Sequence, residues 1–145
     1  MDKIKVSVII VNYNVRHYLC QCLDSLRRSL DGISSEVIVV DNHSHDDSVK
    51  CLQPLFPEVR FISSRRNLGF ARANNIAIRQ SRGEYVLLLN PDTIVGEHTI
   101  AESIAFMDSH ADAGALGVKM LRIDGSAALE SRRGIPSPMV AFYKM

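Results

Sequence analysis

Four short apolar runs in this sequence each give way to polar side chains of the kind that recognise ligands. Val6–Val11 leads into Asn12, Tyr13 and Asn14, and Val37–Val40 leads into Asp41 and Asn42. Val59–Ile62 is followed by Arg65, Arg66 and Asn67, and Tyr85–Leu89 by Asn90, Asp92 and Thr93. Asp41 has the chemistry to accept a hydrogen bond from a ribose hydroxyl or a nucleobase N–H. Tyr13 offers a ring face on which a base can stack. Asp92 is the candidate contact for a hard divalent cation, Mg²⁺ or Mn²⁺, which commonly takes one or two protein carboxylates and completes its shell with phosphate oxygens and water. Arg65, Arg66 and Arg72 can neutralise diphosphate charge. Each position has a plainer reading, since turns favour Asn, Asp and Ser. Tyr13 is also compatible with a tyrosine buried at a sheet edge, Asp92 with a turn or cap residue, and the arginines with solvated surface. Four such ends together exceed what turn chemistry requires. His43 and His45, in the loop after the second run, read as polar filler.

The runs themselves are short and β-branched, as expected of strands buried on both faces. Between them lie helical patterns. Asn14 reads as the N-cap of a helix whose Leu19, Leu23, Leu26 and Leu30 form one apolar stripe, ended by Gly32. Ser44 and Asp47 suggest a capping box for a short helix closed by Pro54 and Pro57. Asn67-Leu68-Gly69 opens a third helix, expected to carry Phe70, Ala73, Ala77 and Ile78 inward. Ile100, Ile104 and Met107 mark a fourth, over about residues 97–110. Gly114–Leu121 is expected to return to the sheet as a strand, with a turn at Asp124-Gly125 and a loop from Ser131 to Met145. Alternating strands and helices predict a mostly parallel, doubly wound α/β sheet with helices on both faces, a Rossmann-like arrangement. In such a sheet the residues just past the strands' C-terminal ends collect along one edge, where ligands bind.

Composition narrows the function classes. With 145 residues the chain is one domain or a piece of one, and its end at Phe142–Met145 without a capping element reads as truncation. Seventeen Lys and Arg against sixteen Asp and Glu leave a net charge of +1, which nominates no nucleic-acid partner. No apolar run approaches the roughly 18 residues of a membrane span, and the N-terminal run is too brief for a secretory signal. Cys20, Cys22 and Cys51 form neither a disulfide framework nor a zinc-ligand pattern, so a cytoplasmic setting is expected. The turn after the first run contains no glycine, which excludes the G-x-G-x-x-G dinucleotide fingerprint, and there is no P-loop.

Taken together, these segments resemble the nucleotide-sugar-binding half of glycosyltransferase family 2, with its GT-A fold. The matching pieces are V-S-V-I-I-V-N-Y-N (6–14), V-I-V-V-D-N-H-S-H-D-D-S (37–48), N-L-G-F-A-R-A-N-N (67–75) and G-E-Y-V-L-L-L-N-P-D-T (83–93), in the family's order. Gly114–Leu121, Asp124-Gly125-Ser126 and Ser131-Arg132-Arg133 are similar to the rhamnosyltransferase-like branch. The resemblance implies that Asn12, Tyr13, Asn14 and Asp41 hold base and ribose, while Asn67, Gly69 and Asn74 shape the nucleotide pocket. Asp92 matches the last aspartate of the D-x-D metal motif, whose first acid is replaced here by Asn90 and whose middle position is Pro91. The implied reaction is inverting, metal-assisted transfer from a TDP- or UDP-linked sugar to a saccharide or lipid-linked acceptor in polysaccharide or cell-envelope biosynthesis. A lipid-linked acceptor would bring the enzyme to the inner face of the membrane. The family's base lies in a later acidic motif with no match before Met145, so none is assigned, and transfer by these residues alone is expected to be weak or absent. Residues 1–121 correspond to the donor-binding domain and 122–145 to the start of a loop-rich acceptor side. The alternative is a non-catalytic nucleotide-binding or interaction module that keeps the sheet without the chemistry.

Overall fold

In the computed structural model of the chain, residues 3–122 and 124–128 are described. The elements run β1 (Val6–Asn12), α1 (Arg16–Ser29), β2 (Ser35–Asp41), α2 (Ser48–Leu52), β3 (Val59–Ser63), α3 (Phe70–Ile78), β4 (Tyr85–Leu89) and α4 (Thr99–Ser109). The four strands are parallel and lie in the order β3-β2-β1-β4. The chain therefore steps outward from β1 to β3, then crosses back to the other side of β1. Right-handed crossovers require the covering helix to change face at that reversal, and it does. Leu19, Leu23 and Leu26 of α1, Leu52 of α2 and Ile100 of α4 pack with Val8, Ile10 and Val39 on one face. Ala73 and Ala77 of α3 pack with Ile9, Val11, Ile38 and Val40 on the other. This is the doubly wound α/β fold expected.

All seven residues of β1 are buried, as befits a central strand covered twice. β4 differs. It lies beyond the cover of α3, and its outward-alternating Val86 and Leu88 are 44% and 49% exposed despite being as apolar as any strand residue. At the N-terminal end of the sheet a polar latch closes the turn before β4. Ser7 Oγ donates to Glu36 Oε1 at 2.7 Å, Arg82 N–H donates to the same oxygen at 2.6 Å, and Gly83 N–H donates to Ser7 Oγ at 2.8 Å.

Contacts divide the chain into two compact units, Met1–Ile104 and Ala105–Met145. In the second, the Phe106 ring stacks on His110 at 4.0 Å, and a turn at Asp124-Gly125 is closed by an antiparallel bridge between Leu121 and Ala127. Asp124 Oδ1 accepts from the Ser126 N–H at 2.9 Å within that turn. The strand expected at Gly114–Leu121 is not formed: residues 114–120 carry no ladder. Their alternation of Leu116, Val118 and Met120 is a strand's pattern, but a strand exists only against a partner, and Gly114 and Gly117 weaken it further. The expected loop at 131–145 lies outside the described residues.

Three local expectations also change. Phe70 and Ile78, expected inward, are 61% and 37% exposed: they stand at the first and last positions of α3, beyond its buried stripe of Ala73, Asn74 and Ala77. Asn14 is not the cap of α1: it adopts a left-handed φ of 55°, and the capping position falls to Val15. No Ser44–Asp47 capping box forms, since the first-turn donors of both neighbouring helices are taken by Asp46.

Candidate functional site

The strand ends meet along one edge. Asn12 of β1 pairs in register with Asp41 of β2, which pairs with Ser63 of β3, while β4 ends at Leu89 beside Ile10. The turn holding Asn12, Tyr13 and Asn14 therefore lies between the loop after β2 and the loop after β4. This is where the winding reverses, the place where open α/β sheets bind ligands. Asp41 ends β2 on one side of β1, and the loop that carries Asp92 follows β4 on the other.

Asp41 is nearly fully buried, and both its oxygens are held. Asn12 Nδ2 donates to Oδ1 at 2.8 Å, and the Ser44 N–H donates to Oδ2 at 3.1 Å. Asn12 Nδ2 also reaches Ser44 Oγ at 3.0 Å, and the Asn14 N–H donates to that same hydroxyl oxygen at 3.0 Å. Asn14 returns the link, its Oδ1 accepting the His45 N–H at 2.7 Å. Asn14, His43 and Asp47 all have positive φ, so these two loops concentrate the left-handed non-glycine residues of the described chain.

A second set of bonds ties the loop after β3. Asn42, buried, donates through Nδ2 to Asn67 Oδ1 at 2.9 Å and accepts the Leu68 N–H at 2.8 Å. Asn67 Oδ1 also accepts the Gly69 N–H at 2.8 Å. Gly69 takes φ of 74° at the N-terminus of α3, a conformation that favours glycine, and open space lies where its Cβ would be. Asn74 is buried and donates to Phe70 O within α3 at 3.0 Å. Tyr13 is 46% exposed at the edge, its ring available on the surface rather than buried. Arg65, Arg66 and Arg72 are exposed and form no ion pair among the described residues.

Across β1, the loop after β4 is anchored to α1. Cys22 Sγ donates to Asn90 O at 3.6 Å, and the Val95 N–H donates to the buried Ser25 Oγ at 3.0 Å. Burial pushes the Cys22 thiol up to about 12, and the negative charge of Asp92 beside it works in the same direction. Asp92 itself is exposed. No three His, Cys, Asp or Glu side chains converge as a metal cage among the described residues. One exposed carboxylate facing solvent beside the ligand edge does fit a hard cation that takes most of its oxygens from phosphate and water. Asp92 would hold such an ion, and Asn90 and Pro91 supply no second carboxylate.

Sequence reasoning set Asn42 at a strand end and Ser44 in a capping box, but missed that these two and Asp46 wire the loops together. Their signal lay in the run D-N-H-S-H-D-D-S, whose Asn, Ser and Asp side chains are short enough to bond nearby backbone. Burial works against the charged form of Asp46, yet bonds from Ser48 and the Arg16 N–H hold its carboxyl below the ordinary range.

The family model described as "Glycosyl transferase family 2" matches residues 7–144. The poly(ribitol-phosphate) beta-N-acetylglucosaminyltransferase TarS of Staphylococcus aureus is 29% identical over 139 residues, which is 93% of this chain and 23% of TarS. A poly(ribitol-phosphate) beta-glucosyltransferase of Bacillus spizizenii is 30% identical over 140 residues, 93% of this chain and 21% of its own length. The crystal structure of S. aureus TarS 1–349 in complex with UDP superimposes with a TM-score of 0.72 at 28% identity, covering 93% of this chain and 39% of that one. The chain thus spans about a quarter or less of the two curated relatives.

Proposed function

Because the chain belongs to glycosyl transferase family 2, we propose that it binds the nucleotide of a UDP- or TDP-linked sugar for transfer to a saccharide or lipid-linked acceptor in cell-envelope polymer synthesis. The observation that most supports this reading is that Asp41 ends β2 on one side of β1 while the loop carrying Asp92 follows β4 on the other. Asp41 keeps an unused lone pair on each oxygen after accepting from Asn12 and Ser44. An ionised carboxylate accepts only, so it favours a base that offers an imide N–H, as uracil and thymine do, over cytosine, whose corresponding nitrogen is itself an acceptor. Tyr13 stacks against that base, and Asn14 sets the turn that presents it. Asn67, Gly69 and Asn74 shape the wall on the α3 side. Arg65, Arg66 and Arg72 lie on the loop and helix nearest that wall and supply positive charge for the diphosphate.

Asp92 holds a divalent cation, Mg²⁺ or Mn²⁺, which supplies charge neutralisation for the departing diphosphate when bound. Transfer with inversion asks a carboxylate base to take the acceptor hydroxyl's proton as that oxygen attacks the sugar carbon. No described carboxylate is assigned that task. Donor binding is assigned to residues 1–121 and the beginning of the acceptor side to 122–145. Among the described residues no helix is long and apolar enough to cross a membrane. Work in the cytoplasm, at the inner membrane face when the acceptor is lipid-linked, is the proposed setting. The TarS complex with UDP supports the choice of nucleotide. Calorimetry with UDP, TDP and GDP, each with and without Mg²⁺ or Mn²⁺, tests the reading. Binding of UDP or TDP strengthened by the cation is expected; no binding of any nucleotide would refute it.

A further inference from the structure

Asn12 presents an unusual balance. Its side chain is fully buried, its amide nitrogen serves two acceptors, and its Oδ1 has no hydrogen-bond partner among the described residues. A buried acceptor left unmet is costly, and native structures rarely keep one without a reason. Rotating the amide by half a turn would not relieve it. Oδ1 would then face the Asp41 carboxylate, acceptor against acceptor, and Asp41 would lose its only side-chain donor among the described residues. The amide orientation is thus dictated by Asp41. Ser44 completes the brace, its N–H on the second Asp41 oxygen and its hydroxyl oxygen receiving both Asn12 Nδ2 and the Asn14 N–H.

We infer that Asn12 and Ser44 are positioning residues for nucleobase selection: they fix the plane of the Asp41 carboxylate so that its free lone pairs meet an imide N–H at the sheet edge. This rests on the nucleotide-binding reading of the site. Asn12 does not contact the base, being wholly buried behind Asp41; it acts through the carboxylate. Without its donor, Asp41 can swing and accept from water or a ribose hydroxyl, and the site loses its preference between bases while keeping its phosphate and stacking contacts.

The test is discrimination between UDP and CDP, which differ at the pyrimidine edge and share everything else. Calorimetry on the unaltered chain, with Mn²⁺ present, is expected to show tighter binding of UDP. In Asn12→Ala the UDP affinity falls by about tenfold, the scale of one charge-assisted hydrogen bond, while CDP affinity stays within about twofold, so the ratio collapses. Ser44→Ala, at a partly exposed position that does not threaten the core, shifts the ratio the same way by a smaller factor. Adding Asn12→Ala to Asp41→Ala has no further effect on the ratio. Equal weakening of UDP and CDP in Asn12→Ala and Ser44→Ala would overturn the inference and mark both as general scaffold. Failure of the unaltered chain to bind either nucleotide would remove the underlying site reading, and this inference with it.

Discussion

Replacing Asp46 with alanine strips acceptors from the starts of two helices at once. Its carboxylate takes the Arg16 N–H of α1 at 2.8 Å, the Ser48 N–H of α2 at 3.1 Å and the Ser48 hydroxyl. First-turn amides have no partner inside their own helix, and loss of a capping acceptor costs about 0.5–2 kcal/mol. Asp46 is partly exposed, so water recovers some of both bonds, and a loss of about 1–2 kcal/mol at pH 7 is expected rather than the doubled figure. Its ionisation gives a second handle. The carboxyl is held below its ordinary value in the folded chain, so its contribution is complete above the unfolded value of about 3.9 and drains away as pH falls through the folded value. Urea unfolding of the unaltered chain and of Asp46→Asn, followed by circular dichroism from pH 7 to pH 3, isolates this group from the other carboxyls. The stability gap should hold steady above about pH 5 and close toward pH 3. A gap that stays constant across the range, or an Asp46→Ala chain as stable as the original, would show that these helices are capped by something else.

Three further outcomes are expected of the same molecule. A Cβ at Gly83 would collide with Ser7 N and sit 2.8 Å from Tyr85 O, both backbone atoms that cannot yield, so Gly83→Ala should lose about 1–3 kcal/mol in urea unfolding. With its thiol raised to about 12, Cys22 is on the order of one part in ten thousand thiolate at pH 8. A chromogenic disulfide reagent should therefore titrate exposed Cys51 in the native chain and reach Cys22 only on unfolding. Tyr13→Ala should leave the unfolding midpoint nearly unchanged, since its ring is half exposed, while weakening UDP binding by about tenfold or more through lost base stacking, measured by calorimetry.

Most of the fold was legible because its signals are local. The β-branched runs at Val6–Val11 and Val37–Val40 are too short and too uniformly apolar for amphipathic helices, and the leucine stripe of α1 has only one face to bury. Parallel order then follows from the alternation of strand and helix. What could not be read was whatever depends on the partner's position. Val86 and Leu88 look like core residues in sequence, but their burial turns on whether a helix covers β4. Gly114–Leu121 has a strand's alternation, yet among the described residues only Leu121 finds a bridge partner. In the candidate site, side-chain identity pointed to one sheet edge, and Asn12, Asp41 and the loop after β4 do converge on a common edge. The bonding among them was hidden: Asp46 caps α1 across thirty residues of sequence, and Asn42 reaches Asn67 across twenty-five. No spacing rule finds such pairs, because they are set by strand register and not by helical or strand period.

The claim that everything functional depends on is that Asp41 grips the nucleoside end of a donor while Asp92 carries the cation at its diphosphate. Calorimetry of UDP binding to the unaltered chain, Asp41→Ala and Asp92→Ala, each in excess chelator and in Mn²⁺, addresses both halves together. The unaltered chain should bind more tightly with the metal. Asp92→Ala should match it in chelator yet gain nothing from Mn²⁺, and Asp41→Ala should be weaker in both conditions. An Asp92→Ala chain that keeps the full metal-dependent gain, or an Asp41→Ala chain with undiminished affinity, would contradict the assignment.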